Sequence, residues 1–210
     1  MQVVPFRERL AQAKPLLVDG AMGTLLVERG HLALNECFDL LNLTQPFLVK
    51  GVHRDYVLAG ADIIETNTFG ANRYKLGEYG LADQLEDINR AAVQLAREAL
   101  TSNNRETPLY VAGAIGPLGV SIKPYGRLSY DDARDAFAEQ LRILLDEGVD
   151  LLMLETFANH DELILAIETA RELDAEIPIV AQATFSPDNV TYTGFAPAKV
   201  AAELAQTGAT

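Results

Sequence analysis

The sequence predicts an α/β protein of the (β/α)8 barrel type, with about the first five βα units present in residues 1–210. Three observations lead there. Short, uninterrupted apolar runs alternate with longer amphipathic stretches. The order along the chain is strand then helix throughout. A Gly-x-Asp signature recurs ahead of apolar runs that close on Glu-Thr.

The predicted strands are Leu16-Leu17-Val18, Ile63-Ile64, Tyr110 to Ala114, Leu151 to Leu154 and Ile179 to Ala183. None alternates apolar with polar residues, as expected of parallel strands covered on both faces. A helix is predicted after Thr44 and Pro46, read as a cap followed by a first-turn proline, and it closes at Gly60. Leu85, Ile88, Ala92, Leu95 and Ala99 recur at steps of three and four and give the next helix one apolar face. Ser129, ahead of Asp131 and Asp132, starts the helix carrying Ala133, Phe137, Leu141 and Leu144, which ends before Gly148. Leu163, Ile167, Ala170 and Leu173 form the last clear series.

Strand–helix alternation fits either an open doubly wound sheet or a closed barrel. The internal echo favours the barrel. Gly60-Ala61-Asp62 leads to Glu65-Thr66, Gly148-Val149-Asp150 leads to Glu155-Thr156, and a third copy begins at Gly208-Ala209 before Thr210. Polar residues at successive strand ends are how a barrel assembles a site on one face. Eight units need about 250 residues, so residues 1–210 read as one partial barrel domain whose C-terminal units are missing. Open sheet edges would then encourage self-association.

Composition narrows the function classes. The formal charge of −13, from 30 acidic and 17 basic residues, disfavours nucleic acid and anionic membranes as partners. The first ten residues carry Arg7, Glu8 and Arg9 with no apolar run behind them, unlike a signal peptide, and no stretch is apolar enough to span a bilayer. A cytoplasmic location is expected. Cys37 is the single cysteine, which excludes an internal disulfide and a zinc site made of several cysteines of this chain.

The residues able to carry chemistry stand at predicted strand ends. Asp19-Gly20-Ala21-Met22-Gly23-Thr24 places a carboxylate before small residues that let a ligand approach the backbone, or else forms a tight turn capped by Asp19. Its glycine spacing fits neither a dinucleotide fingerprint nor a P-loop. Glu65-Thr66-Asn67-Thr68 suits a small polar ligand, or turn chemistry. Glu155, emerging from Leu151-Leu152-Met153-Leu154, stands at the rim of a desolvated pocket, where a carboxylate holds an ammonium group strongly. His31, His53 and His160 lack metal-ligand spacing, and Cys37 beside Phe38 reads as a small buried hydrophobe. Ser121 to Arg127 is a lid or a long turn.

Together these segments resemble the homocysteine S-methyltransferase family, which includes the N-terminal modules of methionine synthases. The matching stretches are Val18 to Thr24, Asn35 to Asn42, Gly60 to Phe69, Ala114 to Gly119 and Leu154 to Phe157, in the family's order and spacing. The resemblance implies a (β/α)8 barrel that transfers a methyl group to the thiol of homocysteine, giving methionine. It implies that Asp19 and Glu155 bind the substrate amino group, that the backbone of Gly20 and Ala21 receives its carboxylate, and that Thr66 and Asn67 belong to the same polar cluster. It also implies zinc in the full-length protein, held by three cysteine thiolates that activate the substrate thiol. Those cysteines would lie beyond Thr210, so no catalytic or metal residue is expected in this chain, which alone would be inactive. Gly70 and the Asp19-Gly20-Ala21 motif depart from the betaine-using branch and favour methyltetrahydrofolate or methylcobalamin as donor, with folate, cobalamin or reductase domains downstream. Two alternatives remain: a non-catalytic amino-acid-binding barrel module, and a barrel that uses Glu65 and Glu155 as an acid/base pair on a sugar.

Overall fold

The computed structural model describes residues 4–33, 35–101 and 107–209. Its centre is a parallel four-stranded sheet in the order β1 (Ile63–Glu65), β2 (Tyr110–Ile115), β3 (Leu151–Phe157) and β4 (Ile179–Ala183). Sequential order with parallel pairing requires a crossover after every strand, and helices supply them. These are α6 (Leu85–Thr101), α7 (Tyr130–Asp146) and α8 (His160–Leu173). Before the sheet come α1 (Phe6–Leu10), α2 (Met22–Gly30), α3 (Leu41–Thr44) and α4 (Pro46–Ala59); α5 (Arg73–Glu78) follows β1 and α9 (Pro197–Leu204) follows β4.

Residues 16–18 differ from the expected full strand. Only a parallel bridge, Val18 to Ile63, joins them to β1, supported by Asp19 N donating to the Ile63 carbonyl at 3.0 Å. They add a fifth parallel segment, too short to run as a ladder. Thr44 is not the cap of α4: it closes α3, its hydroxyl donates to the Leu40 carbonyl, and Gln45 precedes the first-turn proline. Ser129 does cap α7, accepting from Asp132 N at 3.1 Å.

The recurrent Gly-x-Asp signature has a mechanical basis. Gly60, Gly148 and Gly208 all hold positive φ (116°, 76° and 72°) at or just past helix ends, where a side chain would be strained. The aspartates then fasten neighbouring segments at their amino ends. Asp62 accepts from Leu17 N at 3.0 Å, and Asp150 accepts from Val111 N at 2.7 Å. Thr210, the last residue of the third copy, lies outside the described residues.

Two apolar layers flank the sheet. Ile64, Val111, Leu152 and Leu154 face the helices with Val93, Phe137, Leu141, Leu144, Leu163 and Ile167. Ile63, Tyr110, Ala112, Leu151 and Met153 form a second cluster on the opposite face, closed by Phe6 of α1, whose ring meets Tyr110 edge-on at 5.3 Å. Strand side chains alternate between faces. The alternation therefore carries Glu65, two residues after Ile63, and Glu155, two after Met153, onto this second face at the carboxyl ends of their strands.

Candidate functional site

Asp19, Gly20, Ala21, Met22, Glu65, Thr66, Asn67 and Glu155 line one pocket of about 220 Å³. Asp19 and Glu155, some 136 positions apart in the chain (155 minus 19), thus open on the same space. Asp19 is fixed by its Oδ2, which accepts from Glu65 N at 3.1 Å. Glu155 stands where the pairing of β3 with β4 shifts register between Leu154 and Phe157, and the next residue, Thr156, has φ of 64°. A bulge of this kind re-aims side chains at a strand end.

Glu65, expected from sequence only within the polar run Glu65 to Thr68 or as half of an acid/base pair with Glu155, completes the acidic lining. Its carboxyl hydrogen-bonds Glu155. Burial first, then the charges of Glu155 and Asp19, push its pKa up to about 8. Burial raises Asp19 to about 7, opposed by the bond from Glu65 N and reinforced by Glu155. Burial also raises Glu155, against the hydrogen bond from Glu65 and the positive charge of Lys75. Near neutral pH Glu65 therefore carries a proton and donates it to Glu155. A hydrogen-bonded contact is shorter than the roughly 5 Å or more that separates the two carboxyls of a glycosidase, so the sugar reading does not suit this pair. The signal for Glu65 was available in the sequence as its two-residue offset from Ile63, the same offset that separates Glu155 from Met153.

Thr66 and Asn67 border the pocket, with the Thr66 hydroxyl and the Asn67 amide nitrogen bonded to the fold. Thr66 Oγ1 accepts from Ala114 N at 3.0 Å and lies 2.6 Å from Thr68 Oγ1, which donates to the Ala114 carbonyl. Asn67 Nδ2 donates to the Phe38 carbonyl at 2.8 Å and to Asn42 Oδ1 at 3.1 Å. These side chains tie the end of β1 to β2 and to the segment before α3.

Across the pocket, Gly20 and Ala21 lead into α2. Ala21 occupies the cap position with no side-chain acceptor for the first amides of the helix, which leaves a partial positive charge at that end. Tyr56 of α4 fixes this turn: its hydroxyl donates to the Ala21 carbonyl at 3.0 Å, and a Cβ on Gly20 would stand 3.0 Å from the same hydroxyl. The pocket is thus acidic on one side and offers helix-start amides on the other.

Cys37 lies elsewhere. It lines a neighbouring cavity with Phe38, Asp39, Phe69, Gly70 and Lys75, and burial and the Asp39 charge push its thiol up. Asp39, raised to about 6 by burial, accepts from Gly70 N at 3.0 Å, and a Cβ on Gly70 would fall 2.7 Å from its Oδ2. A side chain at position 70 would therefore displace the Asp39 carboxylate from its bond with Gly70 N. Lys75 Nζ sits 4.3 Å from the centre of the Phe69 ring. Among the described residues no group of three or more His, Cys, Asp or Glu side chains could hold a metal ion. One cysteine cannot supply a three-thiolate site, so the residues present do not fit the zinc that the family resemblance implies.

The histidines have structural settings. His53 is fully buried in α4 with both ring nitrogens unpartnered, and burial lowers its pKa to about 4. His160 packs against Phe195 at 5.0 Å and lies 2.7 Å from Glu203 of α9. Residues 121–127 form a turn closed by a bridge from Ile122 to Leu128, with Tyr125 meeting Tyr192 edge-on at 6.3 Å. No helix of the described residues is long and apolar enough to cross a membrane.

A partial parallel barrel with carboxylates and a helix start around one pocket at its strand ends defines a class: α/β barrels whose sites lie at the carboxyl face of the sheet. Within that class, the homocysteine S-methyltransferase family profile matches residues 16–210, and the chain belongs to that family. It is 35% identical over 190 residues to a methionine synthase of Mycobacterium leprae and 36% identical over 179 residues to one of Mycobacterium tuberculosis, aligning 84% and 79% of this chain. The chain spans about 15% of the length of these relatives. Among solved structures it resembles the homocysteine methyltransferase MmuM from Escherichia coli. The metallated form gives a TM-score of 0.83 at 28% identity, covering 98% of this chain and 75% of that one. The oxidized form gives 0.81 at 28% identity, covering 96% and 73%. The neighbours confirm the barrel-type fold expected from sequence.

Proposed function

We propose that this chain is the homocysteine-binding part of a homocysteine S-methyltransferase. The observation that carries the reading is the convergence of Asp19 and Glu155, from distant strand ends, opposite the start of α2 across one small pocket. A zwitterionic amino acid fits this polarity. Its ammonium group meets desolvated carboxylates, where charge-assisted hydrogen bonds are strong. Its carboxylate meets the free amides of Gly20, Ala21 and the first turn of α2, a favourable site for an anion. Tyr56 holds that turn in place, while Thr66 and Asn67 keep the floor rigid.

The side chain of the bound amino acid would then point away from both charged ends. Methyl transfer requires the substrate sulfur as a thiolate, because the thiolate is the nucleophile. No residue described in this chain is suited to make it, so activation is not assigned to Cys37 or to the acidic residues. A methyl donor such as methyltetrahydrofolate or methylcobalamin belongs to the same proposal. It is supported by the likeness to methionine synthases and by glycine at position 70, which departs from the betaine-using branch.

Calorimetric titration with L-homocysteine and with its des-amino analogue, 4-mercaptobutyrate, tests the recognition. Homocysteine should bind and the analogue should not; equal binding of the two would refute an ammonium site. A thiol-methylation assay separates the alternatives. Because this chain alone is expected to be inactive, that assay is run on the chain extended by roughly 80–100 residues, enough to complete a barrel; an extended protein that binds homocysteine yet forms no methionine would instead be an amino-acid-binding module.

A further inference from the structure

We propose that Glu65 is the third acceptor of the substrate ammonium group and that it surrenders its proton as that group enters, so the site selects an unsubstituted primary ammonium. The proposal rests on the amino-acid reading of the pocket and goes beyond it by assigning a role to a residue that the family resemblance did not mark.

The geometry comes first. Three carboxyl groups, from the segment after Val18, from the end of β1 and from β3, line one pocket of about 220 Å³. Asp19 spends Oδ2 on Glu65 N, which leaves Oδ1 for a ligand. Glu155 and Glu65 are hydrogen-bonded to each other. A primary ammonium has three N–H donors. Asp19, Glu155 and Glu65 offer one acceptor group to each. With the pocket empty of cations, three carboxylates at such range cannot all ionise, and one must hold a proton.

The charges around Glu65 show which one. Asp19 and Glu155 both face it with negative charge. Lys75 on α5 acts on Glu155 and is not among the main influences on Glu65. Tyr56 on α4 is a neutral phenol that faces Asp19. Glu65 is therefore the carboxyl held protonated, with its O–H directed to Glu155. An arriving ammonium replaces that proton: the Glu65 O–H bond breaks, the proton passes to solvent, and an ammonium N–H bonds the freed carboxylate. An N-methylated amine lacks one donor and would place a methyl group against a buried carboxylate, which leaves a charge unpaired.

The test is calorimetry of this chain with L-homocysteine at pH 7.5, in phosphate and in Tris, whose different ionisation heats report the protons released. The wild type should release most of one proton per ligand and should bind N-methyl-homocysteine at least about tenfold more weakly. In Glu65→Gln, which keeps the shape but has no acid proton to give, the release should largely vanish and the affinity for homocysteine should fall about tenfold or more. Undiminished release with wild-type affinity in Glu65→Gln would overturn the proposal and move the proton to Asp19. A circular-dichroism melt of the variant excludes misfolding as the cause of a loss. Titration with L-2-aminobutyrate, which lacks sulfur, separates this inference from the functional reading. Equal, Glu65-dependent binding of both amino acids would remove homocysteine specificity and leave the ammonium site standing. Absence of binding by either would remove both.

Discussion

Residues that border the pocket divide by what their polar atoms are already doing. Glu155 has spare acceptor capacity and faces the pocket, so Glu155→Gln should weaken homocysteine binding by at least about tenfold while leaving the melting temperature nearly unchanged. Thr66 shows the opposite case. Its Oγ1 satisfies Ala114 N within the sheet, so Thr66→Ala strands a buried donor and should cost about 1–3 kcal/mol of stability, read by urea unfolding. Its effect on affinity should be small unless the floor of the pocket moves. A Thr66→Ala variant with full stability and lost binding would show that Thr66 contacts ligand directly. The sequence alone could not separate these two residues, because hydrogen-bonding capacity is visible in a side chain but its partner is not.

Helices were the most legible elements. The apolar series over Leu85 to Ala99, Ala133 to Leu144 and Leu163 to Leu173 fall inside α6, α7 and α8, because a period of 3.6 residues needs only local spacing to declare itself. Ser129 before Asp131 and Asp132 was equally plain, and the cap contact forms at 3.1 Å. Ser129→Ala should therefore cost about 1 kcal/mol, or about 2–4 °C in a thermal melt. A melt within error of wild type would mean that Asp131 and Asp132 suffice at the helix start. Thr44 misled because a threonine two residues before a proline has the composition of a cap, while the backbone there closes α3 and leaves the position to Gln45. Residues 16–18 misled for a related reason. An apolar run shows that a segment is buried, but the length of its ladder depends on a partner 45 residues away.

Across the whole molecule, the buried acids couple stability to pH. Asp19 and Glu65 titrate in the folded chain near 7 and near 8, against ordinary values of 3.8 and 4.5. The folded state thus holds more protons than the unfolded chain over that interval, and stability falls as pH rises through it. His53 acts oppositely: its pKa is lowered from 6.5 to about 4, so it favours the folded state as pH rises toward 6.5 and contributes little further above that. The clean window is pH 6.5 to 8.5, where the melting temperature should drop by at least about 4 °C. A saturating amino-acid ligand should remove much of that drop, because its ammonium replaces the bound proton as the partner of the carboxylates. A flat profile would show that the acidic residues are better solvated than their positions imply.

The sequence determined the order of strands and helices, the barrel-type fold, the helix faces, the family, and the two carboxylates at strand ends. All of these are written in local spacing or in motifs that survive as short contiguous words. Tertiary structure decided that Asp19 and Glu155 share one pocket, that Glu65 joins them, that the Thr66 hydroxyl and the Asn67 amide nitrogen bond the fold, and that the repeated aspartates pin strands together. Each of those facts is a distance between segments far apart in the chain. Such distances arise only when parallel strands pair in register and their alternation brings chosen side chains to one face.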